Sequence, residues 1–245
     1  MALARSLPFE ADRPLPAGPL FAALAAGAPH THRFLIEDES GAFLGASPER
    51  LFRLEGAALS VDGLAGTAPR GADPDSDTEL GLGLLASAKD RHEQAVVVDW
   101  IAAALNPLAE AIDMPETPVL KRLPTVQHLH TPIVATLRPD TNLESVLAAL
   151  HPTPAVGGAP RDRAIELIRT LEPGGRGWYA GPVGWVGLEA AEFAVAIRSA
   201  YLQGNRAAVM AGAGIVDGSV PALEWAETAR KAAPLVRLLT GEVGS

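Results

Sequence analysis

The sequence predicts an α+β fold, in which strands and helices occur in separate blocks. Short apolar runs fill the first third of the chain, a long helical pattern follows, and further strands and a final helix complete it. The blocks lack the strict strand–helix–strand alternation of a parallel α/β sheet. With 245 residues, 48% of them hydrophobic, the chain is long enough to bury a large core.

The first third is expected to form antiparallel strands after one short helix. The Ala-rich segment 17–26 predicts that helix. Turn-forming residues then separate four short apolar runs, which predicts strands at 32–38, 42–46, 50–55 and 58–64. The polar segment 70–78 contains Gly, Pro and three Asp and predicts an exposed loop.

A long helical pattern covers 79–105, and a capping-box-like pair, Ser87 and Asp90, indicates that its main part begins there. Pro107 ends the pattern. Later runs predict further elements in this order: a strand at 125–137, helices at 142–149 and 160–171, strands at 177–188, 192–202 and 205–216, and a helix at 219–239.

Charge and cysteine content exclude several classes of protein. The chain has 20 basic and 29 acidic residues, a net charge of −9, and no basic block that could bind nucleic acid. The absence of cysteine excludes disulfides, thiolate nucleophiles and cysteine-ligated zinc. No apolar stretch reaches the roughly 18 residues of a membrane helix, and no secretory signal is visible. We expect a cytoplasmic protein with a small-molecule substrate, without nucleic-acid or membrane partners, acting as a monomer.

Two motifs have a structural explanation that is favoured over a functional one. Gly81-Leu-Gly83-Leu-Leu-Ala86 fits a loose dinucleotide-binding pattern, but it follows a polar loop and not a strand. His128 and His130 share one face of a predicted strand. Because His151 is the one obvious further ligand, hydrogen-bonded, half-buried histidines are favoured over a zinc site. A role of these histidines in contacting a polar substrate stays open.

Carboxylates and glycines each allow two interpretations. Glu224 and Glu227 lie on one face of the last predicted helix, and Glu93 lies on the long helix. Carboxylates suit a hard cation such as Mg²⁺, but taken alone this pattern favours a solvated helix face. The Gly-rich run 211–215 follows a strand and could hold an anion on its backbone amides or form a tight turn.

Nine motifs in order along the chain resemble the chorismate-binding enzymes, with isochorismate synthases as the nearest branch. The motifs lie at 45–51, 64–71, 87–93, 127–132, 150–158, 176–185, 193–198, 211–215 and 224–228. The resemblance implies the anthranilate synthase component I-like fold, with two β-sheets and helices packed outside them. It also implies one catalytic domain over 1–245.

The resemblance implies an Mg²⁺-dependent reaction in which water adds at C2 of chorismate and the C4 hydroxyl leaves. Glu49 matches the general acid that protonates this hydroxyl, so we expect its pKa to be raised. Glu93 and Glu227 match the direct Mg²⁺ ligands, and Glu224 matches a water-linked partner.

The same resemblance assigns residues that contact the substrate. Arg198 and Lys231 would hold its carboxylates, and the backbone at 212–214 would assist. The remaining matches lie beside the ring or near the attacked carbon. The full set of substrate-binding residues is Gly66, Thr67, His128, Ala155, Val156, Arg198, Gly212, Gly214 and Lys231.

The family's general-base lysine aligns just ahead of Met1. We therefore expect this chain to be the C-terminal catalytic portion of a longer isomerase, missing its N-terminal part. The stretches 152–156 and 100–106 differ from those typical of ammonia-using anthranilate and aminodeoxychorismate synthases, which favours water as the nucleophile. The resemblance also leaves room for a salicylate synthase, and the missing lysine for a non-catalytic chorismate-binding remnant. The product would enter menaquinone or siderophore biosynthesis.

Overall fold

A computed structural model describes residues 1–122 and 126–241. Its helices are α1 (Ala17–Gly27), α2 (Pro74–Ala86), α3 (Ala88–Leu105), α4 (Leu143–Leu150), α5 (Arg161–Leu171) and α6 (Pro221–Thr240). The first strands are β1 (Ala2–Glu10), β2 (His32–Asp38), β3 (Gly41–Ser47), β4 (Arg50–Glu55), β5 (Ala58–Pro69) and β6 (Ala109–Asp113). They are followed by β7 (Val119–Arg122), β8 (Val126–Leu137), β9 (Pro182–Val186), β10 (Ala190–Val195), β11 (Ser199–Gln203) and β12 (Arg206–Gly214).

The strands form two sheets, which confirms the predicted α+β class. One sheet has the order β1-β12-β11-β3-β2, and the other has the order β6-β8-β5-β4-β10-β9, with β7 on β8. By their internal contacts the residues fall into two units. The first contains 1–50, 151–185 and 193–245, and the second contains 51–150 and 186–192. The single catalytic domain over 1–245 stays a prediction.

The first unit is built on the five-stranded sheet. Alternate residues of its central strands, such as Leu44, Leu202 and Val209, form one apolar face and are at most 3% exposed. This face packs against α1 and α6, which contribute Leu24 and Leu235 to the same core. Burial of these apolar side chains is the main favourable term that holds the helices on the sheet.

The second unit is built on the long antiparallel pair of β5 and β8, which runs from Ala58 opposite Thr136 to Pro69 opposite Val126. Every second residue of β8 is buried, among them Leu129 and Ile133. The intervening residues, which include His128 and His130, lie on the other, more exposed face. This confirms that the two histidines share one strand face.

The prediction of an exposed loop at 70–78 is wrong from Pro74 onward, because α2 begins there. Asp73 is the N-cap and accepts hydrogen bonds from the backbone N–H groups of Asp75 and Ser76, both at 3.0 Å. The Ser76 hydroxyl in turn accepts from the Asp73 N–H, which completes a capping box. The loose glycine pattern at Gly81 therefore lies inside a helix and forms no phosphate loop.

The predicted helix start at Ser87 is confirmed, since its hydroxyl accepts from the Asp90 N–H at 3.3 Å and caps α3. α3 ends at Leu105, two residues ahead of Pro107. The strand predicted at 125–137 is confirmed as β8, with Thr125 outside the described residues. No strand was predicted at β1, β6 or β7. β1 is held by β12, which is distant in sequence, and β6 and β7 are held by β8, which follows them in the chain.

Two predicted strands are shorter than expected. The run 192–202 is interrupted at Arg198, whose φ of 54° is left-handed and breaks the strand. The run 177–188 begins as a turn, in which the N–H of Gly181 donates to the carbonyl oxygen of Trp178 at 3.0 Å. Within 1–122 and 126–241, no helix combines the length and apolar character needed to cross a bilayer.

Candidate functional site

Glu49 lies at the bend between β3 and β4, in the first unit. The bend is held by the buried Ser47, whose hydroxyl accepts a hydrogen bond from the Glu49 N–H at 3.2 Å. The Glu49 carbonyl oxygen accepts from the N–H of Val195 at 3.0 Å. Both backbone groups of Glu49 are therefore fixed, and the direction of its side chain is set by the local backbone.

Burial raises the pKa of the Glu49 carboxyl from 4.5 to about 6, although the positive charges of Arg198 and Lys231 lower it. Part of the residue's surface stays accessible, while the carboxyl itself is surrounded by protein. Such a carboxyl holds its proton near neutral pH far more often than an ordinary glutamate does. This is the property that a general acid needs.

Arg198 lies in the bend between β10 and β11 and has a left-handed backbone, which is uncommon for a residue other than glycine. Its carbonyl oxygen accepts a hydrogen bond from the Ala46 N–H at 3.2 Å, so the bend is attached to β3. Burial lowers the pKa of the guanidinium, and Tyr179 and Glu49 act in the opposite direction. The cation is thus close to the acid and partly removed from water.

Lys231 lies on α6 and reaches back to β12. Its ammonium nitrogen donates to the carbonyl oxygen of Gly212 at 3.1 Å and contacts a carboxylate oxygen of Glu227, one turn earlier, at 2.5 Å. The lysine and glutamate side chains are 27% and 38% exposed. Lys231 is therefore ordered by two partners before any substrate binds.

Tyr179 was not singled out from the sequence, although it lies within the motif 176–185. Its hydroxyl is next to Gly212: a Cβ built on this glycine would lie 3.0 Å from the phenol oxygen and 3.0 Å from the carbonyl oxygen of Leu3. Burial raises the pKa of Tyr179 to about 12, so the phenol keeps its proton and can donate a hydrogen bond. No periodicity or spacing separates Tyr179 from the exposed Trp178 beside it, so the sequence alone did not reveal it.

The other residues of the first unit that were expected to contact the substrate lie in a turn at 153–157 and at the end of β12. Ala155 and Val156 lie in a turn closed by a hydrogen bond from the Gly157 N–H to the Thr153 carbonyl oxygen at 2.8 Å. Gly214 ends β12, where it pairs with Ala2 of β1.

The first unit therefore combines one carboxyl with a raised pKa and two cations. Glu49 can donate a proton, and Arg198 and Lys231 can attract an anion despite the net charge of −9. The Tyr179 hydroxyl adds a hydrogen-bond donor. Chemically, this set suits the binding of a carboxylate substrate and the protonation of a leaving group.

The second unit brings Gly66, Thr67 and His128 together at a β-bulge. Ala65 pairs with Leu129 and Thr67 pairs with His128, so Gly66 is the extra residue, with a left-handed φ of 65°. His128 Nδ1 lies 3.0 Å from the Thr67 hydroxyl and 3.2 Å from the Gly66 carbonyl oxygen. The bulge thus fixes the orientation of the imidazole ring.

A Cβ on Gly66 would lie 3.0 Å from the Asp90 Cβ, so α3 approaches the bulge closely at this glycine. Asp90 is held by the Ser87 hydroxyl, which donates to its carboxylate. Glu93 lies one turn further along α3 and is exposed.

His130 has a different partner from His128. Its Nε2 lies 2.6 Å from a carboxylate oxygen of Asp62, and Lys121 approaches the other oxygen at 3.6 Å. The residues in 1–122 and 126–241 include no group of three or more His, Asp or Glu arranged to hold a metal ion. The favoured interpretation of His128 and His130, that they are hydrogen-bonded and half-buried, is confirmed.

The carboxylates proposed to bind Mg²⁺ lie on two helices. Glu224 and Glu227 are one turn apart on α6, and Glu93 is on α3. Carboxylate oxygens are the ligands that Mg²⁺ prefers, so the chemical type of these donors fits the ion. Within 1–122 and 126–241, however, the three carboxylates are not gathered into one metal-holding group. Glu227 is already paired with Lys231, so a bound cation would compete with the ammonium group for the same carboxylate.

Residues 1–240 match a family model described as chorismate binding enzyme. The chain is 40% identical to the isochorismate synthase MenF of Bacillus subtilis over 99% of its own length and 52% of the relative. It is 49% identical to the salicylate biosynthesis isochorismate synthase of Pseudomonas aeruginosa, over 81% of this chain and 42% of the relative. The chain thus spans about half the length of these curated relatives.

Solved structures show the same similarity. The menaquinone-specific isochorismate synthase MenF of Escherichia coli superimposes with a TM-score of 0.91 at 39% identity, over 97% of this chain and 55% of that one. Anthranilate synthase component I of Streptococcus pneumoniae superimposes with a TM-score of 0.85 at 27% identity, over 96% of this chain and 53% of that one.

Proposed function

Since the chain belongs to the chorismate-binding enzyme family, we propose that it is an isochorismate synthase. It would convert chorismate to isochorismate by adding water at C2 and releasing the C4 hydroxyl. The observation that carries the proposal is the Glu49 carboxyl, with a pKa raised to about 6, beside the cations Arg198 and Lys231. An acid next to two cations matches a dianionic substrate whose hydroxyl must leave as water.

Each residue of this cluster has a defined task. Glu49 donates its proton to the oxygen of the C4 hydroxyl as the bond to carbon breaks, which avoids the release of hydroxide. Arg198 can hold a substrate carboxylate with a planar fork, and Lys231 can hold one as a point charge. Tyr179 contributes a neutral hydroxyl donor because its pKa of about 12 keeps it protonated.

The resemblance would assign Gly66, Thr67 and His128 to positions beside the ring, and Ala155 and Val156 to the wall near the attacked carbon. The 212–214 backbone would assist carboxylate binding.

Glu93, Glu224 and Glu227 would hold the Mg²⁺ ion. When bound, it would supply positive charge that neutralises a carboxylate of the substrate. Because Glu227 is already paired with Lys231, binding of the ion would weaken this ion pair.

The test measures binding and turnover separately, because substrate binding and proton transfer depend on different residues. The full chain is titrated with chorismate in a calorimeter, with and without Mg²⁺, and the mixture is then analysed by chromatography. We expect Mg²⁺-dependent binding and slow accumulation of isochorismate. No binding of chorismate would overturn the proposal.

The products distinguish isochorismate synthase from the related activities. Release of pyruvate with salicylate would identify a salicylate synthase, and an amino product formed only with ammonia would identify an anthranilate synthase-like enzyme. Binding without any product would favour a non-catalytic chorismate-binding protein. The E. coli relative is named for menaquinone, which supports a place in menaquinone biosynthesis, and siderophore biosynthesis stays the alternative. We retain a monomer as the expected state, which light scattering would check.

A further inference from the structure

Arg176 and Glu172 form a half-buried ion pair that reaches two separate segments of the first unit. Nε and Nη2 of Arg176 donate to the two carboxylate oxygens of Glu172, each at 2.7 Å, and the side chains are 17% and 9% exposed. Nη1 donates to the carbonyl oxygen of Val156 at 2.7 Å, and Nη2 also donates to that of Ala2 at 2.9 Å. One guanidinium thus joins the turn at 153–157 to β1.

The pair also occupies the free edge of β1, which is the outermost strand of its sheet. The N–H of Ala4 donates to a carboxylate oxygen of Glu172 at 2.8 Å, and the N–H of Ala2 donates to the Gly157 carbonyl oxygen at 3.3 Å. Backbone groups on a sheet edge need partners when they are buried. Here the partners come from the ion pair and from the turn that the pair holds.

Both joined segments border the residues assigned to the substrate. The turn carries Ala155 and Val156, and on the other side β1 places Ala2 opposite Gly214 and Ala4 opposite Gly212. The hydrogen bonds that the pair makes to these two segments all go to backbone groups.

We propose that Glu172 and Arg176 are positioning residues that hold the 153–157 turn against β1 in its chorismate-binding conformation. This inference rests on the proposed function. Arginine is needed because a planar guanidinium can serve a carboxylate bidentately and two carbonyl oxygens at once, which an ammonium cannot do in this geometry. A turn that is already ordered costs less free energy to bind against, so the pair increases affinity.

The test uses two variants of similar size, Arg176→Lys and Glu172→Gln. The matched controls are Arg163→Lys and Glu166→Gln, which alter a pair of the same type at 2.7 Å whose side chains are both 67% exposed. Chorismate is titrated into each variant of the 245-residue chain in the presence of Mg²⁺, and affinity and stoichiometry are read from the same isotherm. We expect affinity to fall about tenfold in the first two variants with stoichiometry unchanged, and no change in the controls.

A merely structural role predicts a different result: the stoichiometry falls because part of the sample is unfolded, while the affinity of the folded part is unchanged. That result would overturn the proposal. If Arg176→Lys does not fold, Glu172→Gln decides, because it keeps the shape of the side chain. Amide hydrogen exchange gives a readout without substrate, and we expect faster exchange at Ala4 and Gly157 in Glu172→Gln.

The two proposals can fail separately. If the wild type binds no chorismate, the proposed function is wrong, and exchange at Ala4 and Gly157 then decides whether the pair holds the turn. Unchanged exchange at both amides would overturn the positioning role, whatever the wild type binds.

Discussion

The ammonium group of Lys231 donates a hydrogen bond to the carbonyl oxygen of Gly212, 3.1 Å away, and so attaches α6 to β12. The same nitrogen contacts Glu227 at 2.5 Å. A substrate carboxylate that binds Lys231 therefore meets a cation whose position is already set. The carboxylate of Glu227 is available to a metal ion only in competition with this lysine.

Replacing Glu227 with Ala should weaken Mg²⁺-dependent binding of chorismate. The substitution removes one proposed metal ligand and the carboxylate partner of Lys231, and such losses cost about 10- to 100-fold in metal affinity. Titrations of chorismate at several Mg²⁺ concentrations would measure the effect. The control is Glu166→Ala on α5, an exposed carboxylate also paired with a basic residue at 2.7 Å. An unchanged Mg²⁺ dependence in the Glu227 variant would refute the metal assignment.

Replacing Glu49 with Gln should abolish turnover and preserve binding. Glutamine keeps the shape of the side chain but cannot donate a proton to the leaving hydroxyl, and losing a general acid costs about 10²- to 10⁴-fold in rate. Product formation by chromatography and affinity by calorimetry would be measured on the same sample. Glu55→Gln is the control, since this side chain is 61% exposed. Equal loss of binding and turnover would show that Glu49 does not act as the acid.

The Glu49 carboxyl should also make folding stability depend on pH. Its pKa is 4.5 in the unfolded chain and about 6 in the folded protein, so the folded state binds the proton more tightly. The resulting stabilisation, about 2 kcal/mol, is present below pH 4.5 and is lost as the pH rises through about 6. Denaturant unfolding across this range should show a decline in the wild type that Glu49→Gln lacks. Parallel pH profiles for the two proteins would contradict the raised pKa.

Replacing Gly212 with Ala should destabilise the first unit and weaken chorismate binding. The new Cβ would lie 3.0 Å from the Leu3 carbonyl oxygen and from the Tyr179 hydroxyl oxygen, and the carbonyl is backbone that cannot rotate away. Such overpacking costs about 1–3 kcal/mol. Thermal unfolding and calorimetric titration would measure both effects.

The control for this variant is Gly83→Ala, on the exposed side of α2, where a Cβ meets no atom within 4 Å. Alanine is about 1 kcal/mol better than glycine inside a helix, so this variant should gain stability. If both glycine variants gained stability, the crowding at Gly212 would be disproved.

The elements that the sequence predicted well are those with strong local signals. β4 was predicted with its observed bounds because turn-forming residues flank a short apolar run. The start of α3 was predicted because Ser87 and Asp90 form a local cap. α2 was missed in its first turn because the same Asp, Ser and Pro residues occur in loops and in capped helices, and only the hydrogen bonds of Asp73 distinguish the two.

The candidate site was also predictable only in part, because some of its residues are recognised only by contacts with distant parts of the chain. The resemblance identified Glu49, Arg198 and Lys231 as a set, because their motifs occur in order along the chain. It did not identify Tyr179 or Arg176, which lie in the motif 176–185 without a pattern that distinguishes them from their neighbours. Their roles come from contacts with Gly212, Glu172 and Ala2, which are at other places along the chain.

The sequence by itself determined the family, the α+β class and the chemical types in the candidate site: an acid, two cations and a set of carboxylates. The tertiary structure decided the protonation and the position of those groups. Burial raised the pKa of Glu49. Contacts with Gly212 and Glu227 ordered the side chain of Lys231. Pairing with β12 made β1 a strand. Desolvation and long-range pairing depend on residues far apart in the chain, so no local pattern could have specified them.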